Sequence, residues 1–200
     1  DVLVIDTRSA DVFAKGFIPH SINIGLHGQF AVWAGTIIRD VAQKIALVCD
    51  PGTEKEVLTR LSRVGFDYTI AYLFGGFEAW KKEGRKVETI RSVSVEEFVE
   101  QFYDEKAVIL DVRKASEYNS QHIDGAINVP LDYVFESKLK IQADKTYYVH
   151  CAAGYRSMIF VSILQAEGYK NLVNVNGGFT AIKNSNKFSF TAYHEPATML

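Results

Sequence analysis

A thiol and a permanent cation stand five positions apart in the string Val149-His150-Cys151-Ala152-Ala153-Gly154-Tyr155-Arg156-Ser157. An apolar run ends just before Cys151, so the thiol falls at a turn, and Ala152, Ala153 and Gly154 are small enough for the backbone to curl. The N–H groups of such a loop converge and, with the N-terminus of a following helix behind them, form a site for an anion. The same positive potential is expected to lower the pKa of Cys151 and raise its thiolate fraction. Arg156 adds a fixed positive charge for a transferred group or its leaving anion. Together these features suit covalent catalysis in which the intermediate on sulfur is itself negatively charged. A buried structural cysteine is the competing reading for Cys151 alone; the whole strand–loop–helix string favours the nucleophile. His150 lies on the preceding strand, where alternation turns it away from the loop and counts against a general base.

The elements that must position this loop occur twice. Asp6-Thr7-Arg8 and Asp111-Val112-Arg113 each follow an apolar run, and Phe13 with Tyr118, Ile18 with Ile123 and Ile22-Asn23 with Ile127-Asn128 keep the same 105-residue offset. Leu47-Val48-Cys49-Asp50 then answers Tyr148-Val149-His150-Cys151, and Gly75-Gly76-Phe77 answers Gly177-Gly178-Phe179 at an offset of 102. The repeat predicts strands over Val2–Asp6, Ile45–Cys49 and Ile70–Phe74, and again over Ala107–Asp111, Thr146–His150 and Leu172–Asn176, each apolar enough to be buried on both faces of a parallel sheet. Ser94-Val95-Glu96-Glu97 is a capping-box pattern opening a helix through about Tyr103. Met158 to Glu167 reads as another helix, stopped by Gly168. Strands alternating with helices imply α/β architecture: two three-layer modules, each a central parallel sheet flanked by helices. The first module spans 1–88, the second 92–190, and a tail 191–200 follows. The Ser92–Asp104 element has no counterpart in the first module, and the chain opens at Asp1 inside an apolar run, so the sequence reads as part of something longer.

At the matching turn, alignment through Val48 and Val149 puts Asp50 in the place of Cys151. Fifteen positions separate Asp50 from Gly65 and seventeen separate Cys151 from Gly168, which predicts a shorter loop as well. Asp50 cannot carry a sulfur intermediate, a carboxylate there repels anionic donors, and Pro51 removes an N–H donor. The first module is therefore expected to be a degenerate, inactive site, with Cys49 turned into the sheet. Its segment His27–Gly35, rich in glycine and aromatics beside its counterpart 133–138, fits either a docking surface or a packed connection. Asp111 and Arg113 read as support for the loop, as a charged pair in the site or as a brace with Arg113 on Glu117. His122 belongs to a structural turn, and the paired glycines fit tight strand-to-helix turns rather than a nucleotide fingerprint.

Net charge of −2 and scattered Lys and Arg give no basic footprint for nucleic acid, and no apolar run is long enough for a membrane helix. Two cysteines at matching places, rather than a spaced framework, argue for a reducing compartment, here expected to be the cytoplasm. No pair of His or Cys residues has zinc or iron spacing, so neither metal nor cofactor is expected in these residues.

Asp111-Val112-Arg113, Glu117-Tyr118, His122-Ile123-Asp124-Gly125-Ala126-Ile127-Asn128-Val129-Pro130, the Cys151–Ser157 loop and Asn176-Gly177-Gly178-Phe179 together resemble a rhodanese-homology domain, and nearly the whole chain resembles a tandem of them. The resemblance implies a sulfurtransferase in which Cys151 accepts sulfane sulfur as a persulfide and passes it to a thiol or other acceptor. It implies that backbone N–H groups of Ala152, Ala153, Gly154, Tyr155, Arg156 and Ser157 hold the terminal sulfur, with Arg156 helping to bind the donor. Family members commonly carry Arg directly after the cysteine; Ala152 stands there instead, which leans from thiosulfate towards a persulfide donor. Related phosphatases and arsenate reductases need five residues between Cys and Arg, and four occur here. An inactive module followed by an intact one resembles the C-terminal part of fusions in which a metallo-β-lactamase-like persulfide dioxygenase domain comes first, so an upstream domain of the same polypeptide is an expected partner. The alternative is a non-catalytic scaffold or regulatory tandem in such a protein.

Overall fold

The computed structural model describes residues 1–102, 107–137 and 141–195. It separates into two compact units that meet in sequence between Ile90 and Arg91. In the first, β1 (Val2–Asp6), α1 (Ala10–Lys15), β2 (Ile22–Asn23), α2 (Phe30–Ile37), β3 (Lys44–Val48), α3 (Glu54–Ser62), β4 (Thr69–Tyr72) and α4 (Gly76–Lys82) follow one another. The second opens with β5 (Ser92–Val93) and α5 (Val95–Gln101), then repeats the pattern. There β6 (Ala107–Asp111), α6 (Ala115–Ser120), β7 (Ile127–Asn128), a 3₁₀ turn at Leu131–Tyr133 with α7 (Val134–Ser137), β8 (Thr146–His150), α8 (Tyr155–Ala166), β9 (Leu172–Val175) and α9 (Gly178–Ser185) follow. All strand pairs are parallel, in the orders β2-β1-β3-β4 and β5-β9-β8-β6-β7. Two parallel α/β modules are thus present, as the repeat implied. Tyr103, Asp104, Lys138 and the end of the tail, 196–200, lie outside the described residues. Among the described residues no helix is long and apolar enough to cross a membrane.

Sheet register corrects the alignment of the two turns. Asp6 pairs with Val48 across β1 and β3, and its counterpart Asp111 pairs with His150 across β6 and β8. Thr7 N–H donates to Val48 O at 2.8 Å, as Val112 N–H does to His150 O at 2.9 Å. The residue after each pairing is a cysteine, so Cys49 occupies the place of Cys151, and Asp50 answers Ala152. The turn is not shortened either: Gly52 at φ 91° answers Gly154 at φ 102°, and a helix begins within two residues of each. With the cysteines matched, Gly65 and Gly168 lie 16 and 17 positions on, so a difference of one residue remains, and it falls after the turn.

A second correction concerns β4. Its sequence looked buried on both faces, yet Ile70, Tyr72 and the following Phe74 are exposed, Phe74 at 84%. The reason is the sheet order. In the second module the equivalent strand, β9, is covered by β5, through Ser92 opposite Asn174 and Val93 opposite Val175. It is fully buried, whereas β4 forms an edge. Ser92 and Val93, at the start of the Ser92–Asp104 element that the first module lacks, form this covering strand.

The capping box at Ser94 and Glu97 is present: Glu97 N–H donates to Ser94 Oγ at 3.2 Å and Ser94 N–H to Glu97 Oε2 at 2.8 Å. Such a cap stabilises a helix by about 1 kcal/mol. It starts α5 so that Val95 and Phe98 pack with Tyr148, Val173, Val175 and Ile182. Phe98 stacks on Phe188 at 4.8 Å. Helix α8 is buried on all sides from Ser157 through Leu164, which marks a central core helix. In the first module, Phe30, Trp33, Ala34 and Ile37 bury one face of α2, so the segment after His27 is a packed connection. The tail begins as an added strap: Thr191 N–H donates to His122 O and His194 N–H to Ser120 O.

Candidate active site

Cys151 is the first residue past β8 and is 1% exposed. Gly154, in the left-handed conformation that favours glycine, caps α8 and directs its own N–H to Cys151 Sγ at 3.2 Å. The loop is clamped from the other side by the turn into α9, where Gly177 and Gly178 have φ of 72° and 56°. Phe179 N–H donates to Cys151 O at 2.7 Å and Thr180 N–H to Ala152 O at 3.1 Å. With those two carbonyls engaged by α9, the loop is held with its oxygens directed at that helix. A side chain on Gly178 would meet Cys151 O at 2.4 Å and Ala152 at 2.9 Å, so the pair of glycines permits the contact. Ser157 is buried and donates its hydroxyl to Asn174 Oδ1 at 2.8 Å, tying α8 to β9.

Arg156, in the first turn of α8, is held by a carboxylate. Its two terminal nitrogens lie 2.5 and 2.8 Å from the oxygens of Glu117 on α6. Burial pushes the Glu117 carboxyl up, but the hydrogen bonds and charge of Arg156 outweigh it and hold the group below the usual glutamate range. The same hydrogen bonds push Arg156 up, and Cys151 contributes to that rise, so the thiol and the guanidinium are within electrostatic reach. Glu117 is therefore the partner of Arg156, not of Arg113 as a brace at that position had suggested. Arg113 instead grips Asp111 through Nε and Nη2, the shortest distance being 2.6 Å, donates to Gln121 O and lies 3.8 Å above the Phe179 ring. Asn128 Nδ2 completes the brace by donating to the carbonyls of Asp111 and Arg113. His150 is fully buried, with Nδ1 3.3 Å from Cys151 O and Nε2 3.9 Å from Asp111. Burial drives its pKa down, so it is a neutral ring packed behind the loop. His122 stacks on Tyr118 at 3.6 Å, as a turn residue should.

The first module keeps the brace and changes the loop. Arg8 grips Asp6 at 2.6 Å, donates to Gly16 O and lies 4.1 Å above Phe77, while Asn23 donates to the carbonyls of Asp6 and Arg8. At the turn, Glu54 stands where Arg156 stands, and its Oε2 accepts from Gly52 N–H at 2.9 Å. Gly52 is the counterpart of the glycine whose N–H reaches the sulfur in the second module. The Cys49 thiol is pushed up to about 11, by burial first and by the negative charge of Glu54 next, with Asp6 and Asp50 adding to it. Asp50 itself is exposed beside the turn. Among the described residues no group of His, Cys, Asp and Glu is arranged to hold a metal ion.

The structure thus places Cys151 through Gly154 on one turn and Tyr155, Arg156 and Ser157 at the start of α8, with Asp111 and Arg113 bracing the strand beside them. Sequence reasoning gave Glu117 the wrong partner and missed two contributors, Asn174 and the Gly178–Thr180 clamp. Glu117 sat within the quoted Glu-Tyr motif, but its partner lies 39 positions away, beyond any local pattern. Val12, at the equivalent place in the first module, was the available signal, since Glu117 and Arg156 are replaced there together.

Residues 1–83 and 94–185 each match the rhodanese-like domain family. Among curated proteins, the chain is 36% identical over 74 residues to the uncharacterized protein YqhL of Bacillus subtilis, covering 37% of this chain and 59% of that protein. It is 32% identical over 91 residues to the putative sulfur carrier protein YrkF of the same organism, covering 45% and 49%. The adenylyltransferase and sulfurtransferase uba4 of Ogataea parapolymorpha is 29% identical over 136 residues, covering 66% and 32%. The chain therefore spans about half the length, or less, of most of these relatives. Among solved structures, a rhodanese-related protein from Thermoplasma volcanium aligns with a TM-score of 0.46 and 30% identity over 50% of this chain and 97% of that one. Thiosulfate sulfurtransferase from Pseudomonas aeruginosa aligns with a TM-score of 0.46 and 22% identity over 97% and 41%. With both halves matched to one family, and with the brace built twice at the same sheet positions, the chain belongs to the rhodanese-like domain family as a tandem pair.

Proposed function

We propose that the second module is a sulfurtransferase that carries sulfane sulfur on Cys151, and that the first module is non-catalytic. The observation that carries this reading is the Gly154 N–H aimed at Cys151 Sγ from a loop clamped at its carbonyls. In the forward half-reaction the Cys151 thiolate attacks the outer sulfur of a persulfide or thiosulfate. A sulfur–sulfur bond forms to Cys151, the donor's own bond to that sulfur breaks, and a thiolate or sulfite leaves with the electron pair. An acceptor thiolate then attacks the outer sulfur and Cys151 leaves as thiolate, so no outside oxidant or reductant is needed. Loop N–H groups and the start of α8 stabilise the negative charge on the bound persulfide. The names of the relatives, a putative sulfur carrier and a sulfurtransferase among them, agree with this class of chemistry.

For the first module, the specific observation is that Glu54 fills with its own carboxylate the N–H site an anionic sulfur would use. That supports a scaffold or regulatory role for this half. The reading extends to an upstream persulfide-oxidising domain of the same polypeptide as source or sink of the sulfur.

Intact-mass measurement after incubation with thiosulfate or glutathione persulfide tests the proposal. A gain of one sulfur atom that is kept in Cys49→Ser and lost in Cys151→Ser is expected. No gain with either donor sinks the enzyme reading, and a gain lost only in Cys49→Ser reverses the assignment of the modules.

A further inference from the structure

The partly buried pair formed by Glu117 and Arg156 is unlike the buried ion pair of Asp111 and Arg113 in the second module. The Asp111–Arg113 brace recurs atom for atom as Asp6–Arg8, so it serves the fold both modules share. Glu117–Arg156 has no such twin. Val12 and Glu54 stand at those positions in the first module, where the N–H site is filled from within. The pair is therefore present only where the turn's glycine N–H points at a thiol and not at a carboxylate of its own loop, which ties it to what the loop binds rather than to how the module folds.

We propose that Glu117 is a specificity-determining residue that sets which sulfur donors the Cys151 loop accepts, favouring persulfides over thiosulfate. The inference rests on the sulfurtransferase reading above. Both Glu117 oxygens engage Arg156, at 2.5 and 2.8 Å, and the side chains are only 35% and 15% exposed. Partial burial weakens solvent screening, so the two charges largely cancel as seen by an incoming molecule. Thiosulfate is a dianion whose two charges are shared between the reacting outer sulfur and the three oxygens on its neighbour. To use Arg156, it must displace a bidentate carboxylate or bind beside one. A persulfide has an organic thiol as its leaving part, with at most one charge at the reacting end, and needs Arg156 far less. Ala152, in place of a second cation beside the thiol, leaves Glu117 uncompensated by any other charge on the loop. Lys114 donates its backbone N–H to Glu117 at 3.2 Å, and Arg113, although paired with Asp111, adds a positive field at Glu117 smaller than that of Arg156.

Glu117→Gln keeps the size of the side chain and its acceptor for Lys114 N–H while removing the charge. Initial rates of sulfur transfer from thiosulfate and from glutathione persulfide to a common thiol would be measured for wild type, Glu117→Gln and Glu117→Asp, with thermal midpoints recorded for each. Glu117→Gln is expected to raise kcat/KM for thiosulfate relative to persulfide about tenfold, mainly through KM, and to make the thiosulfate rate more sensitive to salt. Glu117→Asp, which keeps the charge, should keep the wild-type preference. If Glu117→Gln lowers both donors equally, Glu117 only holds Arg156 in place and the inference is overturned. If the wild type takes sulfur from neither donor, the sulfurtransferase reading fails and this inference falls with it. Should Glu117→Gln lose its folded signal, an unchanged preference in Glu117→Asp at lower salt supports the inference, and a shift towards thiosulfate there overturns it.

Discussion

Cys49 and Cys151 hold the same place in their sheets, but the turns beyond them carry different charges. Arg156 faces one turn; Glu54 and Asp50 face the other. Because the folded Cys49 thiol sits near 11 against an ordinary value of 9.0, the unfolded chain gives up this proton first as pH rises. The associated stability is fully present below about pH 9 and is lost as pH climbs towards 11. The thermal midpoint of the first module should therefore fall over that window in wild type and fall less in Cys49→Ala, with scanning calorimetry as the readout. In a Cys151→Ser background, iodoacetamide should label Cys49 more slowly than free glutathione at pH 8, and Glu54→Gln should speed that labelling several-fold. Unchanged labelling would mean that burial alone protects the thiol. None of this was legible from the motif strings. A one-residue slip is enough to exchange Cys49 for Asp50, and only hydrogen-bonded register across β1 and β3 fixes which residue ends the strand.

Elements were more legible than their surroundings. Apolar runs marked the long strands, and Ser94 with Glu97 marked the start of α5, because those signals are local. Burial of β4 was misread because it depends on a neighbour: Ile70, Ala71 and Tyr72 look like a core strand, and only β5 gives the matching strand β9 a covered edge. The glycine turn ahead of α9 is the element on which the Cys151 loop rests. Gly178→Ala would force a methyl against Cys151 O at 2.4 Å and hold alanine at φ 56°, which should cost about 1–3 kcal/mol and most of the sulfur-transfer activity. The equivalent change Gly76→Ala meets Cys49 O at 3.0 Å, so it should cost less and leave transfer by the second module unaffected. Denaturant unfolding of both variants, paired with a Cys151 mass assay, checks the asymmetry.

At the scale of the whole molecule, the two modules differ in how their sheets end. Asn174 and Asn176 N–H groups donate to Arg91 and Val93 carbonyls across the covered edge. Leu73 N–H turns inward to Leu47 O, so the amides of Tyr72 and Phe74 face out from the open edge of β4. Amide hydrogen exchange should be at least about tenfold faster at Tyr72 and Phe74 than at Asn174 and Asn176, because exchange there needs only local fluctuation. Equal rates would show that something covers β4 in solution. The twice-built brace of Asp, Arg and Asn has a different kind of consequence. In a saturation mutagenesis map scored for abundance, Asp6, Arg8 and Asn23 should tolerate as few replacements as Asp111, Arg113 and Asn128. A map scored for sulfur transfer should be blind at Cys49 and Glu54, intolerant at Cys151, and at Glu117 should change with the donor used for scoring. Laid over each other, the two landscapes would separate the part of the duplicated gene still selected as architecture from the part still selected as chemistry.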